Sequence, residues 1–253
     1  MNNSNPLIAE LLRLSHDVGR EDRRMAILGE GNTSIRLDAD TFAVKASGSN
    51  LGSLTEAGIA VCRFDRLLPL LDRQRMADEE IDQALMDARV NPEDKKPSVE
   101  AIFHAWLLTL PGVNAVGHCH ALAVSRILCS PRAETFARRR TFPDEVVCCG
   151  PESVLVPYLD PGLVIAQAVR TETLEFIQRT GRQPRVILLK SHGIIAIGPN
   201  ATAVMATLLM AEKAAEIHFG AALLGGPDFM SPEQVARIAD RPDEHYRQKM
   251  LSL

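Results

Sequence analysis

The segment Gly117-His118-Cys119-His120-Ala121 carries two imidazoles two residues apart. In an extended strand, residues i and i+2 point to the same face. His118 and His120 would then stand side by side, with Cys119 turned away. Two neutral imidazoles on one strand face make half of a tetrahedral zinc site. His192, in Lys190-Ser191-His192-Gly193 at the end of an apolar run, is a third candidate ligand, and Glu100 is the best acidic candidate. Three imidazoles and one open position are what a catalytic zinc needs, and the metal would act as a Lewis acid on substrate oxygens. Glu100 would fill the fourth position until substrate displaces it, then serve as an acid/base. Spacing alone leaves plainer alternatives open. A lone HxH occurs by chance, Glu100 suits a helix N-terminus, and His104, one helical turn further on, reads as a structural or supporting residue.

The elements that must position these groups follow from periodicity. Apolar residues at helical spacing, from Leu7 to Val18, predict a helix over residues 5–19, with Asn5-Pro6 at its start and Gly19 at its end. Residues 34–37 and 41–45 read as strands of a hairpin. Gly29-Glu30-Gly31-Asn32-Thr33-Ser34 and Ala46-Ser47-Gly48-Ser49-Asn50 flank that hairpin and offer N–H groups and hydroxyls to an anion, although each is more often a plain turn. A strand is expected over 59–64 and helices over 65–71 and 78–89. The stripe Val99, Ile102, Phe103, Trp106, Leu107, Leu110 predicts an amphipathic helix starting at Pro97, with Glu100 near its edge. The histidine strand spans 113–121, and a helix follows over 122–129. Residues 131–140, with Arg138-Arg139-Arg140, read as a helical turn presenting a solvated basic face. Short strands are expected over 146–148 and 154–156, and a helix from an Asp160 N-cap to about Thr180. Strands at 186–189 and 194–197 bracket His192. Asn200 caps a long helix ended by Gly225-Gly226-Pro227, and one or two short helices follow Ser231.

No repeat, low-complexity tract or linker divides the 253 residues, so they read as a single α/β domain over 1–253. Regular βαβ alternation is missing, which argues for a mixed, mostly antiparallel sheet covered by helices rather than a doubly wound one. Apolar residues make up 46% and charged residues 24%, and the net charge of −4 gives no basic field for nucleic acid. No apolar run approaches a membrane span, and Met1-Asn2-Asn3-Ser4 lacks the start of a signal peptide. Five cysteines with no CxxC pair, Cys148 and Cys149 being adjacent packed thiols, point to a reducing cytoplasm without a disulfide framework.

From about residue 5 to 240 the chain resembles the class II aldolase/adducin family, which includes fuculose-1-phosphate aldolase. The motifs that carry the resemblance fall in the family's order: Gly31-Asn32-Thr33-Ser34, Ser47-Gly48, Pro97-Ser98-Val99-Glu100 with His104, His118-Cys119-His120, and His192-Gly193. Lys45-Ala46-Ser47-Gly48 and Lys96-Pro97-Ser98-Val99-Glu100 look closer still to the aldolase portion of rhamnulose-1-phosphate aldolase/dehydrogenase fusion proteins. The 253 residues leave no room for the dehydrogenase half, and no GxGxxG is present. The resemblance implies a three-layer α/β/α fold and a zinc held by His118, His120 and His192, with manganese or cobalt as other possible ions. It implies Glu100 as acid/base and as metal ligand in the free enzyme, and Gly31, Asn32, Ser47, Gly48 and Ser98 around a substrate phosphate. The implied reaction is cleavage of a ketose 1-phosphate, through an enediolate, to a dihydroxyacetone phosphate-like fragment and an aldehyde, in a cytoplasmic homotetramer. Two residues depart from the pattern. Val99 replaces the family's second serine, and Lys45 stands where the aldolase has a neutral residue, so Lys45 would read a phosphate or a carboxylate. Decarboxylases and epimerases share the scaffold, as do non-catalytic adducin-type modules; these remain alternatives to the aldolase reading.

Overall fold

The computed structural model describes residues 5–242. The signal-peptide reading of Met1 to Ser4, and any helix beyond residue 242, lie outside the described residues. Helix α1 (Pro6–Val18) starts where expected, with Asn5 Oδ1 accepting the N–H of Leu7. Strands β1 (Asn32–Arg36) and β2 (Thr41–Lys45) form the antiparallel hairpin, and β3 (Ile59–Arg63) adds beyond β2. Helices α2 (Phe64–Leu67), α3 (Asp78–Asp87) and α4 (Ala101–Leu107) come next. Strand β4 (Ala115–Cys119) then carries His118, followed by α5 (Leu122–Leu128), α6 (Ala133–Arg138), α7 (Pro143–Cys149) and β5 (Val154–Val156). The chain closes through α8 (Leu163–Thr180), β6 (Val186–Leu189), β7 (Gly193–Gly198), α9 (Ala201–Leu223) and α10 (Pro232–Ala239).

The strands make one sheet in the order β3-β2-β1-β4-β7-β6-β5, in which only the β5–β6 pair is parallel. Alternation divides the core into two layers. Val186 and Leu188 of β6 pack with Ile194, Val204 and Leu208 under α5, α7 and α9. Ile187 and Leu189 pack with Val116, Ile195 and Phe103 under α4 and α8. This is the three-layer arrangement expected. Burial of each such Leu, Ile or Phe contributes about 1.5–3 kcal/mol relative to exposure. Asn200 Oδ1 accepts the N–H of Ala203 and fixes the start of α9, a cap of the kind worth about 1 kcal/mol.

Four local expectations need correction. Helix α4 begins at Ala101, not Pro97, because residues 96–98 are drawn into the sheet: Ser47 N–H donates to the Lys96 carbonyl, Ser98 N–H to the Lys45 carbonyl, and Pro97 bridges Ala46. Glu100 therefore precedes the helix, and its carboxylate makes no capping bond. Val146 to Cys148 are helical, inside α7, where Pro143 occupies the first turn and the buried face packs on α9. Helix α8 starts after Gly162, whose φ of 123° only glycine adopts readily, so Asp160 is not its cap and instead accepts the Tyr158 hydroxyl. Arg140 is not solvated but buried, donating to the carbonyls of Phe136 and Gly150 and to Ser153 Oγ, with Glu145 3.8 Å away. All described cysteines are free thiols. No described helix is long and apolar enough to cross a membrane.

Candidate metal centre

The β4–β1 pairing sets His118 opposite Asn32, and the β4–β7 pairing sets it opposite Ile195. Residues opposite one another share a face, here the face covered by α4. His120 lies two residues on, just past the end of β4, and its ring joins the same cluster. His192 arrives from the β6–β7 turn, where Ser191 holds φ 54°, a left-handed conformation that a serine keeps only when its surroundings fix it. The ligand nitrogens of His118, His120 and His192 lie within 4.8 Å of one another, and this is the group of potential metal ligands found among the described residues.

The hydrogen bonds decide which atoms face inward. His118 Nδ1 is 3.0 Å from the Ile194 carbonyl oxygen. A carbonyl only accepts, so Nδ1 holds the proton and Nε2 presents a lone pair to the cluster. Glu30 Oε1 sits 3.7 Å from His120 Nδ1, behind that ring. His118 Nε2 and His120 Nε2 are 3.2 Å apart, and Glu100 reaches both His118 Nε2 at 3.5 Å and His192 Nε2 at 3.4 Å. Ligand atoms about 2.1 Å from a tetrahedral zinc stand about 3.4 Å from each other, so these spacings fit a divalent ion. The chemistry of the set fits as well. Burial holds His118 down to about 3, with His120 adding to the shift, and burial with His118 holds His192 down to about 4. Both rings are neutral at neutral pH, the state in which imidazole ligates. Glu100 Oε1 is buried without a hydrogen-bond partner. An orphan carboxylate oxygen among lone pairs is costly unless a cation or proton shares the space.

The second carboxylate oxygen is held by a buried chain of side chains. Ser34 Oγ is 2.7 Å from His104 Nδ1, His104 Nε2 meets Asn32 Oδ1, and Asn32 Nδ2 donates to Glu100 Oε2 at 2.6 Å and to Ser98 Oγ at 3.1 Å. The polarity follows from the last link. A carboxylate only accepts, so the Asn32 NH₂ must face it and its carbonyl must face His104. His104 Nε2 then carries the proton, and Nδ1 accepts the Ser34 hydroxyl. Burial and the neighbouring His118 hold the His104 pKa well below the usual imidazole range, in keeping with this neutral tautomer. Glu100 is thus fixed through Oε2 and free at Oε1.

The remaining anticipated residues divide. Lys45 is 2% exposed; its ammonium donates to the Gly29 carbonyl at 3.1 Å, and burial lowers its pKa while the charge of Glu100 partly offsets this. Gly31 has φ 68°, and a Cβ there would lie 2.6 Å from the His118 carbonyl oxygen, so only glycine lets the loop pass this close. Asn32 and Ser98 lie at the centre but spend the bonds described on Glu100, and Ser98 Oγ also accepts the Glu100 N–H. Ser47 and Gly48 lie in an exposed turn, with the Ser47 N–H already given to Lys96. Ser34 and Glu30 were named only as members of a loop that could bind an anion, and their places beside His104 and His120 were not anticipated. The i, i+2 spacing of Asn32 and Ser34 on one strand face was the available signal for Ser34.

Gly193 gives a test of how tightly the cluster is built. A Cβ there would meet the Cys119 carbonyl oxygen at 2.5 Å, His120 Cδ2 at 3.0 Å and His118 Cε1 at 3.1 Å. Gly193→Ala is expected to weaken divalent-metal affinity at least about tenfold, the low end for disturbing groups that orient ligands. Competition with a chromophoric chelator measures this, and wild-type affinity would mean the histidines tolerate displacement.

Residues 9–219 match the family described as Class II Aldolase and Adducin N-terminal domain. Over 199 residues the chain is 26% identical to an uncharacterized oxidoreductase of Bacillus subtilis, YuxG; this covers 76% of the chain and 26% of that protein, so the chain spans about a quarter of that relative's length. It is 27% identical over 179 residues to the 3-oxo-tetronate 4-phosphate decarboxylase of Haemophilus influenzae, covering 70% of each. The solved N-terminal class II aldolase domain of a conserved protein from Thermoplasma acidophilum superposes with a TM-score of 0.68 at 27% identity, covering 87% of this chain and 95% of that one.

Proposed function

We propose that this chain, which belongs to the class II aldolase and adducin family, is a divalent-metal lyase that cleaves a ketose 1-phosphate to a dihydroxyacetone phosphate-like fragment and an aldehyde. The observation that carries the reading is Glu100: one oxygen anchored by Asn32, the other unpartnered beside the imidazoles. Zinc, or another divalent ion held by His118, His120 and His192, would polarise the substrate's carbonyl and take up part of the negative charge that develops as the bond breaks. Breaking the bond leaves an electron pair on the carbon beside the carbonyl. The hydroxyl on the carbon that becomes the aldehyde gives up its proton as the bond breaks, and one proton must be returned to the carbon that keeps the electron pair. Glu100 Oε1 is the group placed to deliver it there, and to take it back in the reverse direction. The chain from Ser34 through His104 and Asn32 keeps the carboxylate from swinging away, so its reach does not depend on substrate. Lys45 brings a buried positive charge to the same end of the sheet and attracts the anionic end of the substrate. Gly31, Ser47, Gly48 and Ser98 complete the proposed phosphate-binding set.

A second reading, decarboxylation of a hydroxylated acid phosphate, is favoured by Lys45 and by the similarity to a decarboxylase. It uses the same residues: carbon dioxide leaves in place of the aldehyde, and Glu100 protonates the same carbon. The deciding experiment incubates metal-loaded protein with ketose 1-phosphates and with 3-oxo acid phosphates. An aldehyde without carbon dioxide supports aldol cleavage. Carbon dioxide alone supports the second reading, and neither product would return the chain to a non-catalytic, adducin-like role. The proposal includes a homotetramer in the cytoplasm; the exposed apolar side chains Leu209, Phe219 and Leu223 of α9, and Leu224 just past its end, support association between copies.

Lys45→Met removes the charge and keeps the length. The KM for an anionic substrate is expected to rise about tenfold or more, the equivalent of one charge-assisted hydrogen bond. An unchanged KM in steady-state kinetics would take Lys45 out of substrate binding.

A further inference from the structure

Away from the histidines, a cavity of about 630 Å³ opens between the end of α6, the end of α8, the start of β6 and α10. Arg185 on its wall immediately precedes β6, and His192 follows the other end of that strand, so the cavity and the metal centre occupy opposite ends of the sheet. Its volume falls in the range of small-molecule sites.

The lining is strongly one-signed. Arg138, Arg139, Arg140, Arg179, Arg182 and Arg185 face two lining carboxylates, Glu152 and Asp240. Glu152 is shared by Arg138 at 3.3 Å and Arg179 at 2.8 Å, and Asp240 takes Arg182 at 2.9 Å. Arg140 is buried beside Glu145. Arg139 and Arg185 have no carboxylate partner among the described residues. Arg139 stacks its guanidinium on the Phe229 ring, 4.8 Å from the centroid, which leaves its N–H edge free to turn to a ligand. Arg185 is partly buried, its bond to protein going to the Val147 carbonyl, and burial lowers its pKa. A half-buried guanidinium satisfied only by a neutral acceptor is a charge awaiting an anion. The rest of the wall is apolar, formed by Met230, Val235 and Phe176, whose ring lies under the Arg179 guanidinium.

We propose that this cleft binds a small organic phosphate carrying two or more negative charges, as a second ligand site independent of the metal centre. Planar guanidinium edges suit phosphate oxygens, the paired arginines fix the rim, and Arg139 and Arg185 supply the charge that no carboxylate among the described residues pairs. The apolar wall takes the organic body of the ligand.

The test is calorimetric titration of the full-length protein with inorganic pyrophosphate and, separately, adenosine diphosphate. Arg139→Gln/Arg185→Gln is expected to weaken pyrophosphate at least about tenfold, the equivalent of one lost charge-assisted bond, while Lys45→Met leaves the affinity unchanged. Tighter binding of adenosine diphosphate than of pyrophosphate assigns the apolar wall to the organic body; equal binding overturns that part. Because Arg185 is partly buried, Arg139→Gln alone, at an exposed position, serves as the variant with the smaller demand on the fold and is expected to weaken binding in the same direction; circular dichroism checks that it folds. Absence of binding, binding unaffected by the arginine variants, or binding abolished by Lys45→Met would overturn the proposal. So would dissociation of an oligomer on arginine substitution, seen by sedimentation, which would make the cleft a contact between copies.

Discussion

Replacing His118 or His192 with alanine is expected to remove bound metal and activity together. Each side chain supplies one of three converging nitrogens, and a three-histidine site that loses one ligand falls to two, below what a catalytic zinc needs. His118 is the more central. Its Nδ1 bond to Ile194 fixes the Nε2 lone pair, and the ring touches both other imidazoles and Phe103. His118→Ala also opens a void under α4, so it should lower the melting temperature as well. His192, on a turn and partly exposed, should lose metal with little change in fold. Loss of activity should exceed a hundredfold in both, and adding metal at high concentration should rescue His192→Ala better than His118→Ala. Elemental analysis beside circular dichroism separates metal loss from unfolding. Full metal content in either variant would strike that residue from the ligand set.

Glu100→Gln is expected to keep fold and metal while turnover falls at least about a hundredfold, the low end for an acid/base group. Glutamine preserves shape, and its carbonyl can still accept from Asn32 Nδ2, so the buried chain to Ser34 survives. What is lost is the ionisable oxygen beside the imidazoles. The effect should fall on kcat rather than KM, since proton transfer belongs to the transition state. Near-normal kcat would reduce Glu100 to a structural partner of Asn32.

Much of this site was legible because its geometry is local. His118 and His120 share a face by the two-residue period of a strand, and the Asn200 cap announced α9. His192 was singled out by its place at the end of an apolar run and Glu100 as the best acidic candidate, with motif order adding weight, but no spacing rule brings them to that pair, because the meeting depends on the pairing of β4 with β7 and β1. Where expectation failed, a non-local bond had won over local pattern. Pro97 looked like the first turn of a helix, yet the carbonyls of Lys45 and Lys96 hold residues 96–98 against the 45–47 strand end. Val146 and Val147 favoured a strand by type, but packing against α9 made them helical, and Pro143 with Asp144 was the overlooked first-turn signal. Asn32 illustrates a different limit. Its place in the motif marked it for phosphate, while its amide is committed to holding Glu100, a role that no spacing reveals.

The most direct test of the metal-centre account is elemental analysis of the purified protein with His120→Ala beside it. The account predicts about one divalent ion per chain, as a single three-histidine site requires, and its loss in the variant. A wild-type protein that holds no divalent ion even after reconstitution would contradict it and remove both lyase readings.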